Sequence, residues 1–449
     1  MKRYALTLWI TLFFHGFVFP MELTLDEAIK FALENNNYIG IQQAEVETSE
    51  GTIIAGRSGF LPKLEGKLTY YIGEKGYTIN SVVPANSMGP GFPPADITTG
   101  FDSSSFTYDY SLGLTLTQPL FTGGKIWNAY RQSVLGYNLQ NERLRQTETE
   151  VILQVKSAFF GVILAKGFAE VSLEAKLLAQ EHLRVARVRY NIGEATEYEV
   201  LRSEVEVANL ESQVIKAENG ARLATLALRD VTGIKTDDEI IPVGGLEAEE
   251  FKMSLAECVN AALLQRPEII QLGYQKEMAE RMLRIARGGY LPSLALVGNY
   301  QSLNDKKNGS RLFDMPEKNW QESYSLLLML SVPVLDGFYN YGKVKEAKAG
   351  VKKASEIEAQ ALKGIILELK QGYASLEEAK NVMLAGGKNV QTARRAVEIA
   401  QVQYRNGLIT SLELLSAEVG LTQARTNYLQ AQYDYALSVA KLKKAIGEI

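Results

Sequence analysis

Side chains that could do covalent or metal chemistry are scarce in this 449-residue chain. It holds one cysteine, Cys258, and two histidines, His15 and His182. A lone thiol makes no disulfide framework and no cysteine-based metal site within the chain. So little imidazole removes the usual residues of nucleophilic and metal-dependent catalysis. No enzyme activity, cofactor or metal is therefore expected. The polar residues that do form a pattern lie in two matched stretches. YNIGEATEYEVLRSE (Tyr190–Glu204) returns as YRNGLITSLELLSAE (Tyr404–Glu418), aligning Tyr190 with Tyr404, Gly193 with Gly407, and Glu199 with Glu413. A glycine inside otherwise helical sequence can take the left-handed conformation that stops a helix and reverses the chain. A glutamate a few residues later suits the positive end of the next helix. These stretches are read as the tips of two helical hairpins.

The elements that would position the tips are themselves duplicated. LDEAIKFALENNNYI (Leu25–Ile39) returns as LAECVNAALLQRPEI (Leu255–Ile269), and RSGFLP (Arg57–Pro62) returns as RGGYLP (Arg287–Pro292), both 230 positions on. Pro119, Gly193 and Gly233 return at Pro333, Gly407 and Gly447, now 214 positions on, so sixteen residues are lost between Pro62 and Pro119. A long stretch without length change beside one that loses residues implies rigid helices and a free loop. The expected organisation is a segment 1–20, a first repeat 21–233, a linker 234–252 and a second repeat 253–449. All twelve prolines lie outside 120–241 and 334–449, as two long helical regions require. Each repeat reads as a helix (Leu25–Gly59 in the first), a strand, a loop, a strand, then a long helix that ends at the tip glycine. Pro62, Pro119, Pro292 and Pro333 mark the entry and exit turns of the strands.

Small residues recur every seven positions from Ala158 to Gly193 and from Gly372 to Gly407, each with a larger residue three before it. That spacing is a packed, supercoiled seam. Lys176 interrupts it for no reason visible in the sequence. In the strands, FTYDYSLGLTLT alternates Phe106, Tyr108, Tyr110, Leu112, Leu114 and Leu116 with Thr, Asp, Ser and Gly. YSLLLMLS (Tyr324–Ser331) keeps the apolar face and blurs the polar one at Leu327 and Met329. Partner strands are expected near Leu64–Ile72 and Leu294–Tyr300. Such alternation fits a membrane barrel or a soluble half-buried hairpin. In lipid, four strands cannot close alone, and an open edge leaves backbone groups unpaired, so several chains would share one barrel. Residues 1–20, with Lys2 and Arg3 before an apolar stretch, read as a signal peptide, the alternative being a retained anchor. The formal net charge of −4 argues against nucleic acid as a partner.

The duplicated unit, the LP entry to its first strand, the QPLFTGGK turn (Gln118–Lys125) and the Tyr-x-x-Gly-x-x-x-x-x-Glu tip together resemble the TolC-type outer-membrane efflux family. The resemblance implies a mixed α and membrane-β fold: a homotrimer with a shared β-barrel, four strands per chain, and a periplasmic α-helical barrel. It implies an exit duct in the outer membrane for efflux or type I secretion, with a periplasmic adaptor, an inner-membrane transporter and outer-membrane lipid as partners. It also implies a gate at the tips, involving Tyr190, Gly193, Glu199, Tyr404, Gly407 and Glu413. A ring of Glu413 carboxylates would attract cations, whereas the plainer reading is a helix-capping glutamate. The family's basic tip residue is Ile409 here and its second acid is Ser416, so the charged lock does not carry over intact. Arg187, Arg189 and Arg405 either contact an adaptor or pair locally. The alternative from another class is a periplasmic coiled-coil scaffold or tether.

Overall fold

The computed structural model describes residues 21–70, 110–234, 240–246, 250–304 and 320–448. The expected signal segment, the loop tips and the start of the FTYDY strand lie outside the described residues. Two compact units divide the chain. The first comprises residues up to Ser49, Gly136–Lys276 and Lys353 onward; the second comprises Glu50–Leu135 and Glu277–Lys352.

The elements repeat. In the first copy α1 (Leu25–Asn35), α2 (Asn37–Ser58), β2 (Lys63–Tyr70), β3 (Tyr110–Phe121), α3 (Lys125–Asn191) and α4 (Glu197–Thr232) follow one another. In the second the order is α5 (Leu255–Gln265), α6 (Pro267–Arg287), β5 (Ser293–Asn304), β6 (Trp320–Ser331), α7 (Tyr339–Arg405) and α8 (Ser411–Ile446). The long helices α3 and α7 have 67 residues each, roughly 100 Å of helix. Short strands β1 (Met21–Leu23) and β4 (Ile240–Pro242) pair in parallel.

One expectation needs correction. Leu25–Gly59 is two helices rather than one, and the copy is broken at the same place. Asn36 leaves the helical conformation, donates from its side-chain amide to Val231 O at 3.0 Å and accepts from Tyr38 N at 2.9 Å. At the matching position Arg266 is extended. Pro267 then opens α6, where a missing N–H costs no intrahelical bond. Thr24 with Glu27 and Ser254 with Glu257 form reciprocal capping boxes that start α1 and α5.

The first unit is built around two matching cores. Ala28, Ala32, Val155, Val162 and Leu228 are buried in one; Cys258, Ala262, Leu369, Leu376 and Leu442 are buried in the other. Each member of the second set is the repeat copy of a member of the first, so Cys258 stands where Ala28 does and acts as a small hydrophobe. An 18-residue window of α3 reaches a mean hydropathy of 1.6. The side chains of Val151, Val155, Phe159 and Phe160 nevertheless go into the helical core. Lys176 also acquires a partner: its Nζ lies 2.9 Å from Glu211 Oε1 on α4.

In the second unit the strands form one antiparallel sheet in the order β2-β3-β5-β6. Directly opposed residues share a face. One face therefore collects Leu64, Leu68, Leu112, Leu114, Leu116, Leu296, Tyr300, Leu326 and Leu328. The other collects Glu65, Lys67, Thr115, Thr117, Asn299, Gln301, Ser323 and Ser325, with Leu327 and Met329 as apolar intrusions on β6. Pro62 and Pro292 directly precede β2 and β5, and Pro333 follows β6. Pro119 lies inside β3, at the register shift against β5 and beyond the last residue paired with β2; a strand proline is tolerated at such an irregularity.

Candidate functional site

The tips are built by backbone chemistry. Gly193 and Gly407 adopt left-handed φ of 79° and 70°. Glu194 N donates to Arg189 O and Gly193 N to Tyr190 O; Leu408 N to Gln403 O and Gly407 N to Tyr404 O repeat the pattern. This pair of bonds satisfies the last carbonyls of a helix before a left-handed glycine. Three residues on, Thr196 and Thr410 cap α4 and α8. The first hairpin closes through Ala175, Ala179, Val207 and Leu210.

The two tips share a backbone but differ in their side chains. Tyr404 is buried at 2% exposure, whereas its copy Tyr190 is 45% exposed. Tyr404 reaches across to the other hairpin, with its ring 5.1 Å from His182 and 5.2 Å from the Arg189 guanidinium. Ala400, Leu414 and Ile409 complete an apolar cluster with Val185 of α3. Ile409 thus plugs the tip, where a charged residue would have no such packing. Burial, and then the Glu199 carboxylate, push the Tyr404 phenol above its ordinary range, while Arg189 opposes them. Burial, helped by Arg202, pushes the His182 imidazole down, which favours the neutral ring.

Glu199 and Glu413 are used differently. The Glu413 carboxylate accepts from Thr410 N at 2.7 Å and from Thr410 Oγ1 at 3.0 Å. These bonds hold its pKa below the usual carboxylate value, so here it serves its own helix start. Glu199 makes no such reciprocal bond: only its N–H is capped by Thr196, and its charge acts on Tyr404. Arg187 pairs with Glu204 at 2.7 Å, and Arg405 donates to Gln401 O at 3.3 Å.

Sequence reasoning missed Glu418. It is 8% exposed on α8 and lines a cleft of about 410 Å³ between α3, α4 and α8, together with Glu206. Burial, and then the Glu206 charge, raise its pKa to about 7, against a hydrogen bond with Gln401. The signal in the sequence was a glutamate on the apolar stripe of α8, beside Leu414 and Leu421.

Among the described residues no cluster of three or more metal-ligating side chains occurs. The site consists of two helix reversals, an aromatic contact and a few charges. The family model of outer membrane efflux proteins matches residues 28–234 and 258–448.

The chain belongs to the outer membrane efflux protein family.

Relatives in this family include the alkaline protease secretion protein AprF of Pseudomonas aeruginosa, 24% identical over 95% of this chain and 84% of that protein. The outer membrane protein TolC of Escherichia coli is 22% identical over 76% of this chain and 69% of that protein. The crystal structure of the Campylobacter jejuni CmeC outer membrane channel has the same fold, with a TM-score of 0.76 at 20% identity, covering 94% of this chain and 85% of that one. The family is one of transport channels of the outer membrane. The chain's class of function is therefore efflux or secretion through that membrane rather than scaffolding.

Proposed function

We propose that three copies of this outer membrane efflux protein close one barrel of twelve strands, four from each chain. The hairpins would extend as a helical duct that passively exports small molecules or polypeptides. The observation that carries this reading is the sheet: a single layer, apolar on one face and polar on the other, with both edge strands unpaired among the described residues. In hydrocarbon such edges must find partners, and four strands are too few for any closed membrane barrel. The apolar face then meets lipid, and the polar face lines water. Substrate selection and energy would come from an inner-membrane transporter and a periplasmic adaptor. The repeat boundaries near 233 and 253, and a gate at Tyr190, Gly193, Glu199, Tyr404, Gly407 and Glu413, belong to the same proposal.

Electron microscopy of the detergent-purified protein tests it. The expected particle is three-fold, with helical density about 100 Å long. Monomers that stay dispersed without detergent would overturn the channel assembly.

A further inference from the structure

Within each repeat the strand pairing is one arrangement written twice. Lys63 stands opposite Thr117 in the first repeat, and Ser293 opposite Ser331 in the second. These are the same pair displaced by the two sequence offsets, 230 and 214. The turns beside the strands are copied too: Ile126 lies over Gly59, and Asn340 over Gly289. The junction between repeats occurs only once in the chain. There β3 pairs with β5, Thr117 opposite Val297 and Leu116 opposite Gly298. Beside it, the turn after β3 is seated on the turn before β5. Gly123 and Gly288 approach so closely that a Cβ on either would meet the other's carbonyl oxygen at 2.6 Å.

Both sides of this junction have a second copy, and among the described residues the outer edges of both second copies have no strand beside them. The copy of β3 and its turn is β6 with Gly337; the copy of β5 and its turn is β2 with Ser58–Leu61. Every residue of β6 is exposed. Beyond it Val334, Leu335 and Phe338 are 92%, 90% and 79% exposed, and no described atom lies within 4 Å of a Cβ built on Gly337.

We propose that β6 of one copy pairs antiparallel with β2 of the next in the register of the internal junction, Ser331 opposite Lys67 and Leu330 opposite Leu68. The turn at Gly337–Phe338 then rests on the next copy's Ser58–Leu61 turn. The proposal builds on the shared barrel put forward above and specifies how its chains join. This register sets Leu330 beside Leu68 on the apolar face and Ser331 beside Lys67 on the polar one. A slip of one residue would reverse every side chain of β2 relative to its neighbour. A slip of two keeps the faces, and only the internal template distinguishes it. The seat between copies is looser than its template, because Ser58 carries a Cβ where Gly288 has none. Phe338, where the template has Gly124, keeps the left-handed backbone with φ of 65° and supplies a ring for the wider gap.

Paired cysteines read the register directly. In the full-length protein, Cys258→Ala supplies a thiol-free background, alanine being the residue at its repeat copy. Ser331→Cys is then combined with Lys67→Cys, Glu65→Cys or Thr69→Cys, and each protein is mildly oxidised in outer membranes. Opposed residues across a pair lie about 4.5–5.5 Å apart between Cα atoms, within disulfide reach; those displaced by two lie about 7–8 Å apart. The Lys67→Cys pair is expected to form covalent multimers at least about ten-fold faster than either neighbour. Faster linkage through position 65 or 69 overturns the register and leaves the assembly standing. No linkage between chains with any of the three overturns the register and the shared barrel together.

Discussion

Glu418 holds a carboxyl among three helices, facing Glu206 from α4, Gln401 from α7 and only apolar and hydroxyl side chains from α3. Its pKa in the folded protein is raised to about 7 from an ordinary 4.5. The folded protein therefore keeps a proton that the unfolded chain releases near 4.5. Stability should fall as pH rises from about 4.5 to about 7 and stay level above, with a total effect on the order of 3 kcal/mol. Glu418→Gln removes the charge and should raise the melting temperature at pH 8 while leaving it unchanged near pH 4.5. Parallel pH profiles for the two proteins would mean that Glu418 stays ionised. Lys176 teaches a different lesson. A charge on the seam looked anomalous only because its partner, Glu211, is on the returning helix, and half-exposed pairs of this kind contribute about 0–1 kcal/mol.

At the scale of elements, the sheet makes the sharper claim. Leu114 and Thr115 are neighbours in β3, yet the pleat sends them to opposite faces. In the proposed barrel a lysine in place of Leu114 would enter lipid, at a cost of about 2–4 kcal/mol near the bilayer midplane. A lysine in place of Thr115 would face water. Leu114→Lys should therefore reduce outer-membrane assembly, measured as the detergent-extracted fraction, while Thr115→Lys assembles and alters only the conductance. Equal loss in both would count against a two-faced membrane sheet. Among the helices, the split at Asn36 and Arg266 shows how a local cap and a proline at the first helical position divide what an unbroken periodic pattern reads as one helix.

For the whole molecule, the proposed duct requires hairpins that reverse at fixed points. Proline is confined to φ near −65°, whereas Gly193 and Gly407 require 79° and 70°. The double change Gly193→Pro and Gly407→Pro should leave the barrel sheet in the membrane but abolish export, measured as loss of substrate from the medium. Export at the wild-type rate would separate the tips from the transport step. Ala28, Ala32, Val155, Val162 and Leu228 have buried repeat copies at Cys258, Ala262, Leu369, Leu376 and Leu442, so a stability change at Leu228 should be echoed at Leu442. The tips depart from that symmetry. Tyr404 is enclosed by His182 and Arg189 of the first hairpin, whereas its copy Tyr190 is exposed.

The duplication, the reversal at each glycine, the two long helices and the alternation of the strands were all legible in the sequence. They rest on local rules: proline exclusion, left-handed glycine, heptad spacing and the two-residue pleat. These act between residues a few positions apart and leave a period in the chain. Tertiary structure alone decided the pairing of Lys176 with Glu211, the enclosure of Tyr404 by His182 and Arg189, the burial of Glu418, and the β3–β5 register. Each joins residues that are distant in sequence, and a period along one segment does not say which other segment will face it. Glu413 lies between the two cases. Its spacing from Thr410 allowed either a capping box or a charge at an axis, and the folded helix start draws its carboxylate into the cap.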